Sequence, residues 1–241
     1  MKEITFGNNK FLSIEIGKAN FVFSTAENNL NFNKSLPEGL ENLKKLKEWF
    51  NLDGVGYCNQ KHSDIVKLYS VDNEDGDGVL TKMQNFAVGV FTADCVPILL
   101  YDTANNVIGA IHSGWRGTVS GIVIKAIEKM VLEFNTKPED IIAFIGPHNR
   151  GCCYEVGEEV LSEFRKCSIF EGLDYVNGRK LKLNVCIKEQ LYISGLKKEN
   201  INDICLCTYC SKIYKLHSYR KASKDYGRMY SFIFMKNLGG K

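Results

Sequence analysis

Two histidines and a cysteine carry the most chemical information: His62 in Gln-Lys-His-Ser, Cys95 in Thr-Ala-Asp-Cys-Val-Pro, and His112 in Ile-His-Ser-Gly-Trp-Arg-Gly. Two imidazoles and a thiolate suit a catalytic zinc, which keeps a fourth position open for water or substrate. The three lie 33 and 17 residues apart. Compact structural zinc sites draw on short Cys-x-x-Cys or His-x-x-x-His pairs, so this spacing demands a fold that gathers the ligands and points to an enzyme.

Charged neighbours extend the picture. Asp94 stands beside Cys95, where it can orient a ligand or act as general acid and base. Arg116 sits between Gly114-Trp115 and Gly117, ahead of a helical pattern, as a candidate anion holder and catalytic residue. Lys61 adds positive charge next to His62. A glycine-rich stretch at 145–157 offers His148 as a further substrate-binding residue. In the same stretch Cys152 and Cys153 cannot both point one way in an extended chain and read as packed core thiols. Cys205-Leu-Cys207-Thr-Tyr-Cys210 resembles half of a zinc ribbon with no second pair in view. The acidic stretch 72–78 lacks the spacing and distal glutamate of a calcium loop and reads as a polar connection. No phosphate-binding P-loop or serine nucleophile elbow is present.

Short aliphatic and aromatic runs must position these residues. Strands are expected over 11–16, 20–24, 86–91, 96–101, 107–111, 140–145 and 204–207. Residues Asp102 to Asn106 supply a turn between two of them. Helices are expected from Pro37 through Leu40, Leu43, Leu46 and Phe50, over 122–134, and over 155–164 and 184–196. Cys95 and His112 then fall at strand ends. The elements alternate without a regular βαβ rhythm, so the fold class expected is α/β (α+β), a layered α/β/β/α sandwich with mixed sheets. With no linker or repeat, the 241 residues read as one domain.

Composition narrows the function. The 44% hydrophobic and 24% charged content is that of a soluble globular protein, and a net charge of +3 argues for neither nucleic acid nor membrane surface as a partner. The basic stretch 44–47 reads as a solvated helix face, and a second runs over 212–224. No uninterrupted run of eighteen apolar residues and no signal-peptide core is found, so a cytoplasmic location is expected. There, nine cysteines are thiols or metal ligands rather than disulfides.

With these segments in view, the chain resembles the bacterial laccase-domain family, also called peptidoglycan editing factor or multicopper polyphenol oxidase and more recently purine nucleoside phosphorylase. The marks are Thr92-Ala-Asp-Cys-Val-Pro97, Ala110-Ile-His-Ser-Gly-Trp-Arg-Gly117, Ile145-Gly-Pro147 with Cys152-Cys-Tyr-Glu-Val-Gly157, and Cys207-Thr-Tyr-Cys210 followed by Ser218-Tyr-Arg220 and Gly227-Arg-Met229. The resemblance implies sheets packed between helical layers and a zinc held by His62, Cys95 and His112. It also implies phosphorolysis of adenosine, inosine and methylthioadenosine, with adenosine deamination besides, and so nucleoside and phosphate as partners. Copper remains possible at the same ligands. Four-copper oxidase chemistry needs more imidazoles than the four histidines here. A third reading is hydrolysis of peptidoglycan precursors with Cys95 as nucleophile beside His112.

Overall fold

The computed structural model describes residues 1–71, 74–222 and 226–236. Asp72 and Asn73 of the acidic stretch, and Lys224 of the second basic one, lie outside the described residues. The chain opens with an antiparallel meander, β1 (Lys2–Phe6), β2 (Asn9–Ile16) and β3 (Ala19–Ser24). Pro37 then starts α1 (Pro37–Phe50) at the position where its missing N–H costs nothing. Next come β4 (Gly54–Gly56), β5 (Val66–Leu68), β6 (Gly78–Thr81), β7 (Phe86–Thr92), β8 (Val96–Asp102) and β9 (Val107–Ser113). Helices α2 (Trp115–Val119) and α3 (Ile122–Phe134) lead to β10 (Ile141–Ile145) and α4 (Glu158–Arg165). The remainder is β11 (Val176–Asn177), β12 (Lys180–Leu181), α5 (Leu183–Ile193), β13 (Ile201–Asp203), α6 (Tyr219–Ala222) and β14 (Met229–Met235).

Two six-stranded sheets result, ordered β1-β2-β3-β14-β7-β4 and β13-β10-β8-β9-β6-β5. The pairs β4–β7, β5–β6 and β10–β13 are parallel and the others antiparallel, so both sheets are mixed. Burial on both faces explains why the central strands are apolar throughout. In β14, Tyr230, Phe232 and Phe234 turn to one core while Met229, Ile233 and Met235 turn to another. The first core lies under α1, where Leu43 and Leu46 meet Phe11, Val22 and Phe232. Each such side chain contributes about 1.5–3 kcal/mol by leaving water. The second core is the layer between the sheets, where Phe21, Phe23, Val88 and Val90 meet Leu99, Tyr101, Ile108 and Phe144. The third lies between the second sheet and the helices beyond it, with Ile98, Leu100 and Ile111 against Val123, Ile127, Leu161 and Ile187. The order is α/β/β/α, as the sequence pattern predicts.

Three expectations need correction. The strand expected at 204–207 is absent. Pairing with β10 stops at Asp203, and Cys205 adopts a left-handed φ of 59° that ends extended chain. Leu40, expected on the apolar face of α1, is exposed. Cys152 is exposed and Cys153 only half-buried, so neither is a core thiol.

Candidate metal centre and substrate cleft

The centre forms where the chain crosses from one sheet to the other. β7 belongs to the first sheet and β8 to the second, and only Ala93, Asp94 and Cys95 join them. So tight a crossing drives Asp94 to a φ of 93°, a conformation a non-glycine residue holds only when its surroundings enforce it. They do: Thr208 Oγ1 donates to Asp94 Oδ1 at 2.6 Å and the Arg220 N–H to Oδ2 at 2.7 Å. The Asn149 N–H donates to the Asp94 carbonyl at 2.9 Å. His112 lies near the end of β9, opposite Pro97, and continues the face of Ile108 and Ala110 that packs between the sheets.

His62 comes from a loop anchored twice. The Gln60 side chain donates to the Phe91 carbonyl at 2.8 Å and accepts from the Phe91 N–H at 2.7 Å, adding a rung to the edge of β7. The second anchor is Asp77, fully buried just before β6. Its carboxylate accepts from the backbone N–H groups of Lys61, His62 and Ser63 at 3.1, 3.0 and 2.7 Å, and from the Ser63 hydroxyl at 2.6 Å. The loop wraps this anion as a nest, with His62 at a φ of 59°. Asp77 also meets His112 Nδ1 at 2.7 Å. Burial would raise its pKa, but the donors from His112 and Ser63 hold it well below the usual carboxylate range.

One carboxylate thus orients two of the three ligands. The donor atoms of His62, Cys95 and His112 all lie within 4.8 Å of one another. The rings of His62 and His112 meet edge to face, with centroids 4.9 Å apart. Since His112 Nδ1 is turned to Asp77, Nε2 is the nitrogen left for a metal, as in zinc-bound imidazoles whose other nitrogen donates to a carboxylate. Burial would raise the Cys95 thiol, yet the charges and hydrogen bonds of His112 and His62 bring it down to about 6. A Cβ on Gly114 would stand 3.1 Å from Cys95 Sγ and 3.2 Å from a His62 ring carbon, so the space beside the ligands depends on glycine there. Two imidazoles, one thiolate and a clear approach fit a zinc ion with an open position. Asp77→Asn removes the charge that gathers the loop. It is expected to weaken zinc binding roughly ten- to a hundredfold, measured by competition with a chromogenic chelator.

Two cleft lobes meet at this centre, and His62, Ala93, Cys95 and Arg228 line both. One, about 360 Å³, is polar and cationic, with Lys34, Lys61, Asn33 and Ser35. The Lys34 pKa is lowered by burial and by the nearby Lys61 charge. The other, about 380 Å³, is aromatic, with Trp115, Tyr154, Tyr219 and Tyr226 beside Arg116 and Arg220. Arg116 packs over the Trp115 ring at 4.3 Å, and Arg220 lies 5.2 Å from the Tyr154 ring centroid.

The fold therefore brings together His62, Cys95, His112, Asp94, Lys61 and Arg116. It does not bring His148 to the cleft. That imidazole is fully buried, with Nδ1 against the Gly146 carbonyl at 2.8 Å, and it lines neither lobe. Reasoning from sequence missed Asp77, whose only signal was an acid immediately before an apolar strand. It also missed Lys34, which reaches the site from a loop with no motif.

Comparison with known proteins agrees with this fold. A purine nucleoside phosphorylase of Clostridium acetobutylicum is 51% identical over 231 residues, covering 94% of this chain and 96% of its own. A Bacillus subtilis protein named purine nucleoside phosphorylase YlmD is 29% identical over 98% of this chain and 90% of its own. The crystal structure of a Bacillus licheniformis protein, YfiH, titled hypothetical, superposes with a TM-score of 0.83 at 25% identity, covering 94% of this chain and 96% of its own. Residues 18–236 match the family described as multi-copper polyphenol oxidoreductase laccase, and the chain belongs to that family.

Proposed function

We propose that this chain is a zinc-dependent purine nucleoside phosphorylase. The observation that carries the reading is the two-lobed cleft, one lobe polar with Lys34 and Lys61 and the other with four aromatic rings beside Arg116 and Arg220, joined at the two-histidine, one-cysteine centre. A nucleoside and a phosphate ion need that pair of environments side by side. The names of the relatives point the same way.

In this reading Tyr154, Tyr219 and Tyr226 offer ring faces and edges to the purine. Lys34, Lys61 and Arg228 hold phosphate in the opposite lobe. A phosphate oxygen bonds to ribose C1′ as the bond from C1′ to the purine nitrogen breaks, and the electron pair leaves with the base. Arg116 and Arg220, which line the aromatic lobe, would stabilise that negative charge until the nitrogen takes a proton from solvent. A zinc ion held by His62, Cys95 and His112 would supply Lewis acidity at the junction of the lobes. Asp94 acts mainly as a positioning residue for Cys95, since both its oxygens already accept hydrogen bonds. The cytoplasmic location expected from the sequence accords with such substrates.

Adenosine deamination is the second reading. It is favoured by the imidazole and thiolate donor set at the junction of the lobes. Copper could bind the same three residues, but a four-copper oxidase set is out of reach. The other two histidines are turned to the carbonyls of Gly146 and Leu30.

Chromatography of reactions with adenosine or inosine, with and without phosphate, tests the reading. Phosphate-dependent release of adenine or hypoxanthine is expected. Inosine formed from adenosine without phosphate would identify the deaminase. If zinc-loaded protein forms neither product, the nucleoside reading falls and peptidoglycan precursors become the substrates to try.

A further inference from the structure

The cysteine pair that seemed to want a partner has one. Cys207 and Cys210 meet Cys152 and Cys153, and the four sulfur atoms all lie within 4.8 Å of one another. Cys152 Sγ and Cys210 Sγ are 3.6 Å apart. A tetrahedral zinc with Zn–S bonds of about 2.3 Å sets its sulfurs about 3.8 Å apart, so small movements would close the set.

Adjacent cysteines converge because the chain turns there. The N–H groups of Cys153 and Tyr154 both donate to the Arg150 carbonyl at 2.8 Å, so Cys152 and Cys153 lie in a turn rather than extended chain. In the second loop the Ser211 N–H donates to the Cys207 carbonyl at 3.0 Å, so Cys207 and Cys210 flank a turn of their own. Backbone bonds stitch the two loops together: His148 N–H to the Leu206 carbonyl at 3.2 Å and Thr208 N–H to the His148 carbonyl at 3.0 Å. The fifth nearby thiol, Cys205, is exposed and outside the cluster.

We propose that Cys152, Cys153, Cys207 and Cys210 form a second, structural metal site that binds one zinc ion through four thiolates. Binding displaces the remaining thiol protons to solvent. The ion would tie together the two loops that carry Thr208 and Asn149, which hold the strained Asp94 beside Cys95. It therefore acts through position rather than chemistry, and it holds whatever substrate the cleft takes.

Metal analysis of protein purified anaerobically under reductant tests this. Wild type should carry about two zinc ions per chain, and Cys152→Ser/Cys210→Ser and His112→Ala about one each. Both replaced cysteines are exposed. In His112→Ala loaded with cobalt, only the thiolate site should remain, giving the intense visible bands and thiolate charge-transfer absorption of tetrahedral sulfur-ligated cobalt. That readout does not depend on the cysteine variant folding. Wild-type zinc no higher than in the double variant, cobalt-loaded His112→Ala without those bands, iron with acid-labile sulfide, or a disulfide within the cluster in anaerobically purified protein would each overturn the proposal. None of these bears on whether the cleft splits nucleosides.

Discussion

Replacing His112 with alanine is expected to empty the two-histidine, one-cysteine centre and slow phosphorolysis at least about a thousandfold, while the chain still folds. The rate effect follows from losing a Lewis acid worth several kcal/mol, since about 4 kcal/mol is a factor of a thousand. Survival of the fold follows from Asp77. Without the imidazole, that buried carboxylate still accepts three backbone N–H groups and the Ser63 hydroxyl, so no bare charge is left behind. The remaining cost is one hydrogen bond and a small cavity, roughly 1–3 kcal/mol. Turnover, metal content and thermal melting of the same preparation check all three parts. Undiminished turnover with this centre empty would exclude a catalytic metal.

Acidification should destabilise the protein through His148, well above the range where carboxylates titrate. Burial is the main cause that brings this imidazole down to about 4; the Gly146 carbonyl opposes it, Arg150 and Lys188 add to it, and Asp203 opposes it. The unfolded chain has the ordinary value of about 6.5. Between those values the unfolded state binds a proton that the native state refuses, so stability falls as pH drops from about 6.5 to about 4. At about 1.36 kcal/mol per pH unit the loss approaches 3 kcal/mol. Asp77 and Asp203, whose carboxyls are held low, lose their contributions only below about pH 4. Urea unfolding of wild type and His148→Asn, at pH 7 and 4.5 with chelator throughout, isolates the effect. The variant keeps a donor for the Gly146 carbonyl, and its stability should vary about 2 kcal/mol less between the two pH values. Equal pH dependence in both proteins would show that His148 is not responsible.

The layered architecture was legible because β7, β8, β9 and α3 carry unbroken apolar patterns bounded by clear turns. The three candidate ligands were legible because few residue types make such a set, with His62 in a polar turn and Cys95 and His112 at strand ends. β14 was not, although it is the centre of the first sheet. Its partners β3 and β7 are far off in sequence, so no neighbouring strand or hairpin turn marks it. Asp77 escaped for a different reason: a carboxylate in an acidic, glycine-rich stretch looks solvated until the fold encloses it. Cys152 and Cys153 were misjudged because side-chain direction depends on whether the backbone is extended or turned. His148 shows the reverse error, since a glycine-rich neighbourhood suggested access where the loop in fact packs inward.

The crossing between β7 and β8 bears on how the molecule assembles. His62 hangs from the first sheet through Gln60 and Phe91 and from the second through Asp77, His112 belongs to the second, and Cys95 sits on the joint. A chain with both sheets formed but not yet docked lacks the Gln60–Phe91 anchor, so the His62 loop hangs by Asp77 alone and the site is loose. Metal capture is then among the last events of folding. It deepens only the fully closed state, so a chelator should accelerate opening along the seam between the sheets before it disturbs either sheet itself.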